Sequence, residues 1–160
     1  MMKTTEILAL LENGQYQDAK ESAKNALLTA PDNALLNYYA AWSCDGLSDE
    51  TEAISYYEKA LEIGLPEHDL ADAYIGLGST YRAIGNYAKA SETFQKARVA
   101  FPENQAITVF ASMALYNEQN YKEAMQLAIK IIGETSSDPT IIAYKKAIIN
   151  YSEDLDAVWD

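Results

Sequence analysis

Cysteine occurs once in these 160 residues, at Cys44, which excludes an internal disulfide and a cysteine-built metal centre. Its register puts it on a core-facing position beside Asp45, away from the accessible, electropositive setting a reactive thiolate needs, so its expected role is structural. Histidine also occurs once, at His68, with no serine or cysteine nucleophile beside it, which excludes a catalytic triad and a histidine-rich zinc site. The seven glycines are scattered and build no phosphate-binding loop. Asp45-Gly46-Leu47-Ser48-Asp49-Glu50 fails as a calcium loop, having Leu47 and Glu50 where a ligand and a glycine belong. With no nucleophile, acid–base pair or cofactor motif at workable spacing, neither enzymatic activity nor a cofactor is expected.

Arginine is limited to Arg82 and Arg98 in a chain of net charge −12, which argues against nucleic acid as a partner, because phosphate contacts need clustered cations. No apolar run approaches the roughly 18 residues of a membrane-crossing helix. The opening residues Met1 to Glu6 lack the apolar stretch of a secretion signal, so no membrane partner and a cytoplasmic location are expected. Asn150-Tyr151-Ser152 is then a chance match to a glycosylation acceptor. No Gly/Ser-rich or Pro-rich linker divides the chain, and a single domain is expected.

What the chain does have is alanine and tyrosine at helical spacing. Leu70, Ala73, Tyr74, Leu77 and Tyr81 mark one amphipathic helix, and Ala90, Phe94 and Ala97 mark a second after Gly85. Asp69 is placed to cap the first, with Asp72 in its opening turn, and Phe101-Pro102-Glu103-Asn104 stops the second. Gly78 inside a helix costs about 1 kcal/mol relative to alanine, which implies a close backbone approach, with Ala90 as the expected partner.

The same register recurs along the chain. Gly14, Tyr16, Ala19, Ala26, Leu27, Pro31 and Asn33 fit a first copy over residues 1–33; Ala53, Tyr57, Ala60 and Leu61 fit a second over 34–67, where Ala41 and Cys44 replace glycine and tyrosine. The third copy spans 71–104. Tyr121 and Ala124 fit a fourth over 105–138, with Ser112 and Leu115 at the glycine and tyrosine places. His68-Asp69-Leu70 read as an insertion that lengthens a turn. Asp138-Pro139 starts a further helix, 139–151, because aspartate suits the cap and proline the first helical position. An acidic tail, 153–160, follows.

Tyr74, Leu77, Gly78, Tyr81, Gly85, Tyr87, Ala90, Phe94, Ala97 and Pro102 resemble one complete unit of the tetratricopeptide repeat (TPR) family, and the resemblance extends over about 140 residues. It implies an all-α fold: a right-handed α-solenoid of about four helix pairs within one domain, 1–152, closed by a C-terminal capping helix. It further implies a non-catalytic adaptor that binds a protein or peptide in a concave groove lined by the first helix of each pair.

At the groove places this sequence carries Tyr38, Tyr39, Trp42, Ile75, Ser79, Arg82, Val109, Phe110, Met113 and Tyr116, an aromatic and aliphatic trough suited to apolar side chains. The family's cationic clamp for an acidic C-terminal tail is missing, since its places hold Thr4, Leu8, Tyr39, Asp72 and Gly76, or one repeat later Tyr38, Trp42, Gly76, Ala106 and Phe110.

Residues 43–72 concentrate the charge, with nine acids against Lys59. Within this stretch Asp45, Asp49, Glu50, Glu52 and Asp72 form an acidic patch suited to a basic partner. Asp49, Glu50 and Glu52 also have a local cause in the first turn of a helix capped by Ser48. The alternative is self-association, a homodimer or a groove filled by the chain's own last helix, whose Ile141, Ile142, Tyr144, Ile148, Ile149 and Tyr151 exceed one packed face. The tail, with Leu155, Val158 and Trp159 among its acids, is either a frayed end or a docking peptide.

Overall fold

The computed structural model describes residues 4–158; the expectations for residues 1–3 and for Trp159 and Asp160 lie outside the described residues. Among the described residues the fold is all-α, as the sequence predicts, and its backbone divides into two compact units, Met1–Asn86 and Tyr87–Asp160. The first holds α1 (Thr4–Glu12), α2 (Tyr16–Leu27), α3 (Ala34–Gly46), α4 (Glu50–Ile63) and α5 (Glu67–Ala83); the second holds α6 (Tyr87–Ala100), α7 (Gln105–Asn117), α8 (Tyr121–Thr135) and α9 (Pro139–Glu153). The division falls inside the third sequence repeat.

The helix starts are written locally. Asn33 Oδ1 accepts the Leu36 N–H at 3.0 Å to cap α3, and Asn104 Oδ1 accepts the Ile107 N–H at 3.3 Å to cap α7. Asp138 caps α9 through the N–H groups of Thr140 and Ile141, with Pro139 at the first helical position, as its sequence predicts. Two expected caps are corrected. Ser48 sits in the turn with φ 59°, and Asp49 takes the N-cap position without capping by its side chain, because Lys20 claims its carboxylate. Asp69 lies within the first turn of α5, which starts at Glu67 after Pro66. His68-Asp69-Leu70 is therefore helical, and the insertion lengthens α5 to 17 residues where α3 and α7 have 13.

Each turn between the helices of a pair contains one left-handed residue: Gly14 (φ 72°), Ser48 (φ 59°), Gly85 (φ 78°) and Gln119 (φ 66°). These follow the repeat spacing, widened once by the insertion. Glycine adopts this conformation freely, whereas a side chain there costs about 1–2 kcal/mol. Ser48→Gly and Gln119→Gly are therefore expected to raise stability by about 0.5–1 kcal/mol each, read as a higher urea midpoint at unchanged slope. An unchanged midpoint would mean that the repeat's turn glycine carries no conformational advantage here.

In the first unit α3 is the central helix, touching α1, α2, α4 and α5. Small residues on the second helices, Ala19, Ala23, Ala26, Ala53 and Ala60, are wholly or almost wholly buried and let neighbours approach, while Ile7, Leu11, Leu36, Tyr38, Tyr39 and Tyr57 fill the spaces between. In the second unit α7 and α9 each pack on α8, and among the described residues they do not meet each other. Its core holds Ala90, Phe94, Ala97, Ile107, Ala111, Ala114, Ala124 and Ile131. Gly133 of α8 lies under Ile148 and Ile149 of α9, where a Cβ would come within 3.1 Å of both side chains. Beyond α9 the chain returns toward α8, where Lys122 Nζ lies 2.8 Å from both Asp154 Oδ1 and Asp156 Oδ2, and Gln126 Nε2 donates to the Glu153 carbonyl at 2.5 Å.

Candidate interaction surface

In the first unit the contacts of α1 with α3 and of α3 with α5 set three helices side by side into one face. The tyrosine and tryptophan spacing of α3 puts an aromatic cluster at its middle. The Tyr38 ring centroid lies 5.8 Å from that of Tyr39, 6.1 Å from that of Trp42 and 6.2 Å from that of Tyr57, with the planes tilted by 43°, 34° and 47°, within the range of attractive aromatic contact. Tyr38 and Tyr39 are buried, so they form the floor of the face and do not line an open trough; Trp42, Ile75, Ser79 and Arg82 are partly exposed above it.

Carboxylates lie near that floor. Burial pushes the Tyr38 phenol up, and the negative charges of Asp72 and Asp69 push it further; burial also raises Tyr39, with Asp69 and Glu12 adding to it. Among the described residues no lysine or arginine lies within ion-pair distance of Glu12, Asp69 or Asp72. Asp69 Oδ2 instead lies 3.0 Å from Nε2 of the exposed His68, an ion pair only when the imidazole is protonated. The Ser79 hydroxyl is enclosed without a hydrogen-bond partner among the described residues.

The remaining acids of the expected patch are in other situations. Asp45 is turned into the structure, accepting from Tyr57 Oη at 2.7 Å and from Thr80 Oγ1 at 2.8 Å, so it ties α3 to α4 and α5. Burial raises its carboxyl, and the two hydrogen bonds oppose that rise. Asp49 and Glu52 each lie 2.6 Å from Lys20 Nζ, and Glu52 accepts a second lysine, Lys24, at 2.6 Å. The two lysines pull the Glu52 carboxyl down to about 2. The Cys44 thiol lies beside them, buried and pushed up to about 11, which keeps it a thiol at neutral pH as its structural role requires. Ligand atoms of Cys44, Asp49 and Glu52 lie within 4.8 Å of one another, and the Lys20 ammonium is the cation they hold. Glu50 is partly exposed at the start of α4.

The groove residues of the second unit divide by depth. Phe110 is half-buried and stacks on Phe94, centroids 6.1 Å apart and planes 14° from parallel, so its ring is engaged in packing. Val109 is half-buried beside it in α7. Met113 and Tyr116 are exposed, and Tyr116 meets Tyr121 edge-on at 5.1 Å. Sequence reasoning missed Glu12 and Asp69 as rim residues. The signal was available for Asp69, which lies three residues before Asp72 on one helical face, whereas Glu12 is brought in only by α1 packing on α3.

Among the described residues no helix is long and apolar enough to cross a membrane. No curated protein matches the chain. The family described as Tetratrico peptide repeat matches residues 34–155. With this match over most of the chain, and with turns that recur at the repeat spacing and small residues buried on the second helices, this protein belongs to the tetratricopeptide repeat family.

Proposed function

We propose that the protein is a non-catalytic, cytoplasmic interaction module whose α1/α3/α5 face binds a segment of another protein that carries both basic and apolar side chains. The observation that carries this reading is the contrast between two sets of carboxylates in one unit. Asp49 and Glu52 are neutralised by Lys20 and Lys24, whereas Glu12, Asp69 and Asp72 stand around an aromatic floor with no lysine or arginine to meet them. Uncompensated charge around an apolar centre favours a partner that supplies cations at the rim and an apolar anchor over Trp42 and Ile75.

Calorimetry with synthetic peptides tests the reading. A peptide alternating lysine with leucine and phenylalanine is expected to bind, more weakly as salt rises, while its glutamate counterpart does not. Trp42→Ala is expected to reduce affinity on the order of tenfold or more, with helicity retained. Equal binding of the acidic and basic peptides, or affinity indifferent to Trp42, would remove the α1/α3/α5 face from the function.

A further inference from the structure

The chain itself carries a segment with the chemistry this face asks for. In a protein of net charge −12, α9 presents Lys145 and Lys146 side by side in its middle, both exposed. Among the described residues neither meets a carboxylate, and the one polar contact of Lys145 is with the Glu134 carbonyl at 3.4 Å. The side of α9 that covers Gly133 uses Ile148 and Ile149, which leaves Ile142, Tyr144 and Tyr151 more than half exposed.

The outward side also has a defined shape. Ala143, Tyr144, Lys146, Ala147, Asn150 and Tyr151 line a shallow, open depression of about 340 Å³ on the face of α9. Tyr144 and Tyr151 stand seven residues apart, roughly 10 Å along the axis, with Ala147 low between them and Ala143 beside Tyr144. Such a partly apolar side can lie against an aromatic ring of another surface, and Lys146 supplies positive charge at the same place.

We propose that α9 of one copy docks on the α1/α3/α5 face of a second copy, laying its Tyr144–Tyr151 side over Trp42 and setting Lys145 and Lys146 against Glu12 and Asp72. The inference rests on the reading of that face given above and names its occupant. Charge complementarity selects the arrangement, because the uncompensated acids lie on one surface and the uncompensated lysines on another. The contact joins two different surfaces of the chain, so a pair held by one such contact still has one α9 and one face to engage, with each other or with further copies.

Sedimentation and light scattering of the full chain test this by charge reversal. For the wild type, average mass is expected to rise with concentration and to fall as salt is raised. Lys145→Glu/Lys146→Glu and Glu12→Lys/Asp72→Lys are each expected to weaken self-association by about tenfold or more, since each sets like charges against each other. Mixed in equal amounts, the two variants are expected to associate again, because one keeps the original face and the other the original α9, and in the mixture these two surfaces can meet.

Circular dichroism on each variant guards the comparison; should a reversal unfold the chain, Lys145→Gln/Lys146→Gln and Glu12→Gln/Asp72→Gln replace it and must still weaken association. A wild type that stays monomeric overturns the proposal, as do variants that associate like the wild type or a mixture of folded variants that fails to reassociate. The lysine-bearing peptide of the previous section separates the two readings. A monomeric wild type that binds the peptide overturns only self-docking, and one that binds no peptide overturns the face as well.

Discussion

Phe94→Ala is expected to cost roughly 3–5 kcal/mol, lowering Tm on the order of 10 °C in a chain of this size. Phe94 is the largest fully buried side chain, in the middle of α6, and the ring it meets in the second unit is Phe110, stacked nearly parallel at 6.1 Å. Truncation removes the buried apolar surface and leaves a cavity that alanine-rich neighbours such as Ala90 and Ala97 cannot fill. Phe110→Ala, at the half-buried partner, is expected to cost less, about 1–3 kcal/mol, with the stacking energy among its losses. Thermal unfolding followed at 222 nm checks both. If Phe110→Ala left Tm unchanged, the stacked pair would contribute no stability and Phe110 would be available as a surface anchor; a drop of several degrees fixes it as a packing residue.

Gly76→Ala is expected to destabilise the first unit by about 1–3 kcal/mol. Alanine is normally favoured over glycine in a helix by about 1 kcal/mol, so the sign of this effect discriminates. A Cβ on Gly76 would lie 2.4 Å from both Cζ and Oη of Tyr57, and that hydroxyl donates to Asp45 at 2.7 Å. Tyr57 can yield only by moving its ring within a core where it is 3% exposed and giving up that hydrogen bond, which would leave the part-buried Asp45 with Thr80 alone. The double variant Gly76→Ala/Tyr57→Phe separates the causes. If the hydroxyl carries the cost, through its lost hydrogen bond or its own clash, Gly76→Ala costs little in the Tyr57→Phe background; if the clash with the ring carbons dominates, the cost persists there. A Gly76→Ala protein more stable than wild type would mean that Tyr57 has room to move.

Much of this architecture is legible in the sequence because helix formation is decided by neighbours along the chain. Asp138-Pro139 marks the start of α9 by a cap and a preset φ, and both are local properties. Gly14 and Gly85 mark turns because a left-handed residue favours glycine wherever it occurs. The same logic misleads at Ser48 and Asp69, each a sound cap in isolation. The turn needs a left-handed residue at Ser48, Lys20 from another helix pair takes the Asp49 carboxylate, and the three-residue insertion carries the start of α5 back to Glu67.

By itself the sequence determines that this is an all-helical repeat protein without disulfide or calcium loop, and that aromatic residues fall at regular places on the first helices. Those properties follow from periodicity, capping chemistry and composition, which act over a few residues. Only the tertiary structure decides how deep each aromatic lies and which charge meets which. Tyr38 becomes floor because α3 is enclosed by four other helices, and Asp45 becomes an internal tie because Tyr57 and Thr80 arrive from α4 and α5. Glu12 and Asp72 are left without a lysine or arginine among the described residues, while packing sends Lys20 and Lys24 to Asp49 and Glu52. Pairing of charges over tens of residues is set by which helix faces meet, and a linear pattern carries no record of that.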